Sequence, residues 1–321
     1  MAAIKRIGTV MQTTLKTKLK TTRKTFNTVM LIATAALLQV NTATANTEVT
    51  TAAVAEQVQA SCQCFSVQVY GQGPAVLLIP GVASSGSVWQ STVDALKDSY
   101  QLHVLTLAGF AGVAPLTAQQ WSQGYLATQQ QAILAYIAKN KLEKPIVIGH
   151  SLGGFLALSL AANHSEQIGG AVNVDGLPAL GELFKQANAQ SAEMPAEAFN
   201  PMAFAKTMTS NSQWQQQIIA DMYRSDGMTS GRVMGELMQQ DIRPQLSNIR
   251  VPVLTLGALL NGAPYSSPEQ VQANYENQLK NAPDAYHKAA YSPDSRHFIM
   301  ADAPDWLNKQ LSLFLAKHYQ G

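Results

Sequence analysis

The sequence predicts an α/β fold, a mostly parallel, doubly wound sheet interrupted by a helical insertion. Two observations predict the sheet. Apolar runs at 75–79, 145–148 and 251–256 lack the polar alternation of a half-exposed strand, so they read as strands covered on both faces. Helical patterns follow most of them, and strand–helix alternation of this kind gives a parallel sheet with helices on each side. A third observation is local. Gly149-His150-Ser151-Leu152-Gly153 joins a strand to a helix, and its glycines mark places where a side chain would collide with a neighbour in a sharp turn.

The elements follow in order. Residues 65–70 alternate as a strand, 71–74 (Gly-Gln-Gly-Pro) turn, and 75–79 form the first fully apolar strand. A loop at 80–86 leads to a helix over 88–96, a strand at 102–107, a loop at 108–112 and a long helical pattern over 117–139. The Gly-rich junction follows, with a helix over 154–162 and a strand at 170–174. Residues 177–248 contain no convincing strand. They carry at least three helical stretches, near 179–189, 212–224 and 228–240, and seven of the eleven methionines. Such residues fit a helical core and equally a deformable apolar cover over a pocket. The rhythm resumes with 251–256, a helix over 267–280, a strand at 287–291 and a last helix over 304–317. The expected organisation is therefore a core of 65–176 and 249–321 with a cap at 177–248.

The N-terminus reads as an export signal. Residues 1–45 hold seven of the 22 basic residues and no acid. An apolar run at 29–40 follows, too short to span a bilayer, and Ala43-Thr44-Ala45 supplies a small-x-small cleavage pattern. The mature chain is expected to begin near Asn46, in the periplasm or outside the cell, with 46–64 as a linker and Met11 as an alternative start. Cys62 and Cys64 read as a structural or incidental pair. The remaining 15 basic residues face 20 acidic ones, which leaves no basic stripe for nucleic acid.

The Gly149–Gly153 run matches the G-x-S-x-G pattern in which a serine stands exposed on a strand-to-helix turn. A hydroxyl needs a base, and the base an orienting acid. His297, in a loop between the last strand and the last helix, fits the base. His103, His164, His287 and His318 fit less well, and His150 reads as a packing or pocket residue. The acid is open. The loop after 251–256 carries Asn261 where a carboxylate is expected. Asp175 ends the strand after the serine's helix, although it also suits the N-cap of a helix starting near Pro178. Asp294 is close in sequence to His297, and Asp302 reads as a helix cap. Backbone amides of Val82 and Leu152 are the candidate oxyanion donors. No metal-ligand cluster and no dinucleotide-binding glycine pattern is present, so no cofactor is expected.

Over residues 65–317 the chain resembles the α/β-hydrolase superfamily, through Gly71-Gln72-Gly73-Pro74, Pro80-Gly81, Gly149–Gly153, and His297 ahead of Ala303-Pro304. It departs at Pro80, where His is usual, at Ala108, where Asp is usual, and at the absent loop acid. Some members place the acid one strand earlier, which resembles Asp175. The resemblance implies a Ser151–His297–Asp175 triad acting on a small-molecule carboxylic ester or lactone, with the insert as a cap domain. Haloperoxidase-like, perhydrolase or carbon–carbon hydrolase chemistry on the same residues remains an alternative. So does a non-catalytic binding protein on this scaffold.

Overall fold

The structure is a computed structural model that describes residues 63–183, 200–262 and 266–319. The leader and cleavage site, the linker up to Cys62, and 184–199 of the insert lie outside the described residues.

Seven strands form one sheet: β1 (Phe65–Tyr70), β2 (Ala75–Ile79), β3 (Gln101–Leu107), β4 (Ile146–His150), β5 (Gly170–Val174), β6 (Val253–Ala258) and β7 (His287–Ser292). Their spatial order is β1-β3-β2-β4-β5-β6-β7, and only β1 runs antiparallel to its neighbour. The helices are α1 (Gln90–Leu96), α2 (Tyr125–Lys139), α3 (Leu152–Asn163), α4 (Pro201–Met208), α5 (Ser212–Arg224), α6 (Gly227–Gln239), α7 (Pro268–Leu279), α8 (Ile299–Asp302) and α9 (Pro304–His318).

Strand periodicity splits the core into two layers. On β2, Leu77 and Ile79 join Ile133, Phe155 and Leu156 from α2 and α3. Val76 and Leu78 join Val93, Leu307 and Leu311 from α1 and α9 on the other face. Every residue of β2, β4, β5 and β6 is buried, which is why these strands read as apolar runs. The doubly wound α/β expectation is borne out.

Two expectations are corrected and one element is added. The helical pattern over 117–139 is broken: a 3-10 turn at Gln120–Gln123 ends at Gly124, whose φ of 85° lies in the left-handed region, and α2 starts afresh. The amides of Tyr125 and Leu126 at that new start donate to the Glu236 carboxylate at 2.8 and 3.1 Å. The insert also contains α4, which the sequence pattern did not single out; it starts at Pro201 under an Asn200 side-chain cap. Asp302 is no cap for α9, which has no side-chain cap. Its carboxylate instead accepts from the Thr209 and Ser210 hydroxyls and from the amides of Ser210 and Arg296.

Helices α4–α6 lie between β5 and β6 in the chain and are bonded to loops at the carboxyl edge of the sheet. Phe298 N donates to Met208 O at 3.0 Å, Asp226 N to Gly109 O at 2.8 Å and Gly112 N to Arg224 O at 2.9 Å. The buried Asp221 on α5 accepts from Ser85 N at 2.8 Å and Ser85 Oγ at 2.6 Å, in the loop that follows β2.

Candidate active site

In an open parallel sheet, ligands are met at the carboxyl ends of the strands. Five strand ends contribute here: β2 leads to Gly81 and Val82, β4 to Ser151, β5 to Asp175, β6 to Asn261 and β7 to His297.

Ser151 has φ 56° and ψ −112°, a strained conformation for a residue with a side chain. The glycines around it explain how the turn closes. A Cβ on Gly149 would stand 2.0 Å from Gly153 O, and one on Gly153 would stand 2.2 Å from Ile79 O. Both contacts are with backbone, so nothing can yield. The turn is held further by Ser151 N donating to Val174 O and Phe155 N donating to Ser151 O, both at 2.9 Å.

Asp175 is 3% exposed and also has positive φ, 54°. Its carboxylate is fully engaged. Oδ1 accepts from Ala258 N at 2.7 Å and Tyr275 Oη at 2.6 Å, and Oδ2 accepts from Asn261 Nδ2 at 2.8 Å. His297 Nδ1 lies 2.6 Å from the same Oδ2. The alternative of a helix N-cap near Pro178 is not met, because the carboxylate bonds to none of that turn. Asp294 is exposed and bonds no part of His297, and Asn261 reaches the imidazole only through Asp175. Burial and the adjacent carboxylate push the Tyr275 hydroxyl well above its usual pKa, so it remains a donor.

His297 is partly exposed, with its side chain 18% accessible, and no hydrogen bond joins it to Ser151 Oγ. Such contacts are often long before substrate binds. His150 packs against it with ring centroids 4.7 Å apart, and His150 Nε2 donates to His297 O at 3.0 Å. Burial holds the His150 imidazole well below its usual pKa, and the neighbouring His297 adds to that, so it stays neutral. Its unpartnered Nδ1 faces Gly81.

Gly81 brings the loop after β2 against the serine, since a Cβ there would lie 3.1 Å from Ser151 Cβ. The amides of Val82 and Leu152 donate to no other group among the described residues. The site thus holds a serine in a strained turn, an imidazole–carboxylate pair and two free backbone amides, a set that suits acyl transfer. Among the described residues no three His, Cys, Asp or Glu side chains group as metal ligands. No described helix is long and apolar enough to cross a membrane. Tyr275 and the bond from Asn261 to Asp175 escaped sequence reasoning. A tyrosine on a helix after β6 carries no local signal of what it faces.

Comparison with known proteins points the same way. A family model described as alpha/beta hydrolase fold matches residues 74–228. The pimeloyl-[acyl-carrier protein] methyl ester esterase of Vibrio atlanticus is 31% identical over 214 residues, covering 60% of this chain and 79% of that protein. Its namesake in Vibrio cholerae is 28% identical over 218 residues, covering 61% of this chain and 79% of that protein. A putative aryl esterase structure from Burkholderia cenocepacia superposes with a TM-score of 0.63 at 21% identity, over 80% of this chain and 96% of that one. An enol-lactonase structure from Burkholderia xenovorans gives 0.62 at 16% identity, over 78% and 96%. The chain therefore belongs to the alpha/beta hydrolase fold family, among ester hydrolases.

Proposed function

We propose that this protein is an exported hydrolase that cleaves a carboxylic ester or lactone through an acyl-enzyme on Ser151. His297 takes the serine proton through Nε2 as Oγ attacks the carbonyl carbon. Asp175 accepts from Nδ1–H, which fixes the tautomer and stabilises the imidazolium as it forms. The amides of Val82 and Leu152 hold the developing oxyanion. His297 then protonates the departing alcohol and activates water to release the acid. The observation that carries the reading is the 2.6 Å contact between His297 and Asp175 at the strand ends flanking Ser151.

The sequence relatives are methyl ester esterases, which favours substrates with a small alcohol on an apolar acyl chain. The cap and its methionines suit an acyl group of that kind. Turnover of a short p-nitrophenyl ester and labelling by a serine-directed phosphonate test the reading. Both should vanish in Ser151→Ala, and Asp175→Asn should cost about 10⁴ in kcat. Full labelling of Ser151→Ala would refute it. Export predicts that N-terminal sequencing of the mature chain begins near Asn46.

A further inference from the structure

We infer that Asn261 is a positioning residue, fixing both the rotamer and the charge of the acid that serves His297. The inference rests on the triad reading above. Strands β5 and β6 are hydrogen-bonded neighbours, so the loops that follow them emerge side by side. Asp175 follows β5 and Asn261 follows β6. This chain has an acid in one of these loops and an amide in the other.

The amide has a specific partner. Asn261 Nδ2 donates to Asp175 Oδ2, the same oxygen that faces His297 Nδ1. Ala258 N and Tyr275 Oη occupy Oδ1. With two donors on each oxygen the buried carboxylate cannot rotate without losing bonds. Asn261 is itself exposed, so it contributes little packing and its role lies in that one bond.

The sign of the electrical effect follows. A donor on Oδ2 draws charge away from the oxygen that stabilises the imidazolium. Removing it leaves a more negative oxygen beside His297, which raises the pKa at which the base becomes active. Asn261→Leu removes the donor as Asn261→Ala does, without placing a second carboxyl against Asp175. The other titratable groups facing this pair are Tyr275, with Tyr291 beside it, and the neutral His150 against His297.

The test is the pH profile of kcat/KM for a short p-nitrophenyl ester with the full chain. The acidic limb should move up by about half a unit in both Asn261→Ala and Asn261→Leu, with KM within about twofold of the parent. A purely structural role would lower the melting temperature and leave the midpoint in place. Superimposable profiles for both variants overturn the inference while leaving Ser151 labelling, and hence the triad, intact. Persistent labelling of Ser151→Ala overturns the triad and this inference together.

Discussion

Gly149 and Gly235 are the same residue in opposite circumstances. At the elbow, a methyl group on Gly149 would meet backbone at 2.0 Å; on α6 of the insert, a Cβ on Gly235 or Gly231 would meet nothing within 4 Å. The sheet edge is thus defined by exclusion, where backbones approach so closely that only hydrogen fits. The insert is defined by attachment. Asp221 grips the Ser85 loop, Glu236 caps α2, and the segment after α4 is bonded to Asp302, which also holds Arg296. One region tolerates almost no change in volume. The other has room at Gly231 and Gly235 on α6, although a Cβ on Gly181 would meet Met238 O at 2.1 Å, and it depends on a few polar links.

Substitutions can break or sharpen that contrast. The largest effect is expected from Gly149→Ala, where rigid backbone on both sides gives no room to relax. Loss of soluble protein, or destabilisation by about 3 kcal/mol or more in thermal unfolding, is the expected outcome. A stable variant would mean that the elbow can open. Next is Asp221→Ala. It leaves the Ser85 amide without its acceptor, a cost of about 1–3 kcal/mol, and frees the loop that carries Val82. A roughly tenfold fall in kcat is expected in steady-state assays. Unchanged kcat would show that the insert does not hold that loop. The smallest effect is Gly235→Ala. Alanine is the better helix former, so a gain of about 0.5–1 kcal/mol is expected with activity unchanged. A loss would reveal a neighbour that α6 meets only in solution.

The elements of the site were legible to different degrees. The elbow stood out because its constraint is local: glycine is required wherever a turn is that tight, and the spacing of Gly149, Ser151 and Gly153 displays it. The fully apolar strands were legible for the same reason, since burial on two faces removes the polar alternation. The helix at 117–139 misled because Gly124 breaks it through a backbone angle, and the new start at Tyr125 is capped by Glu236, 111 residues away. Asp302 looked like a cap because it precedes Ala303-Pro304, yet its oxygens are taken by the segment that follows α4.

By itself the sequence determined the order of the strands along the chain, the serine at the elbow and a histidine in the loop after the last strand. These follow from local sterics and hydrophobic periodicity, which act over a few residues. Which carboxylate meets that histidine was decided only in three dimensions. Asp175, Asn261, Tyr275 and His297 span 122 positions of chain, and the pairing of β5 with β6 sets their loops side by side. A hydrogen bond depends on distance and angle in space, and no pattern along the chain records either.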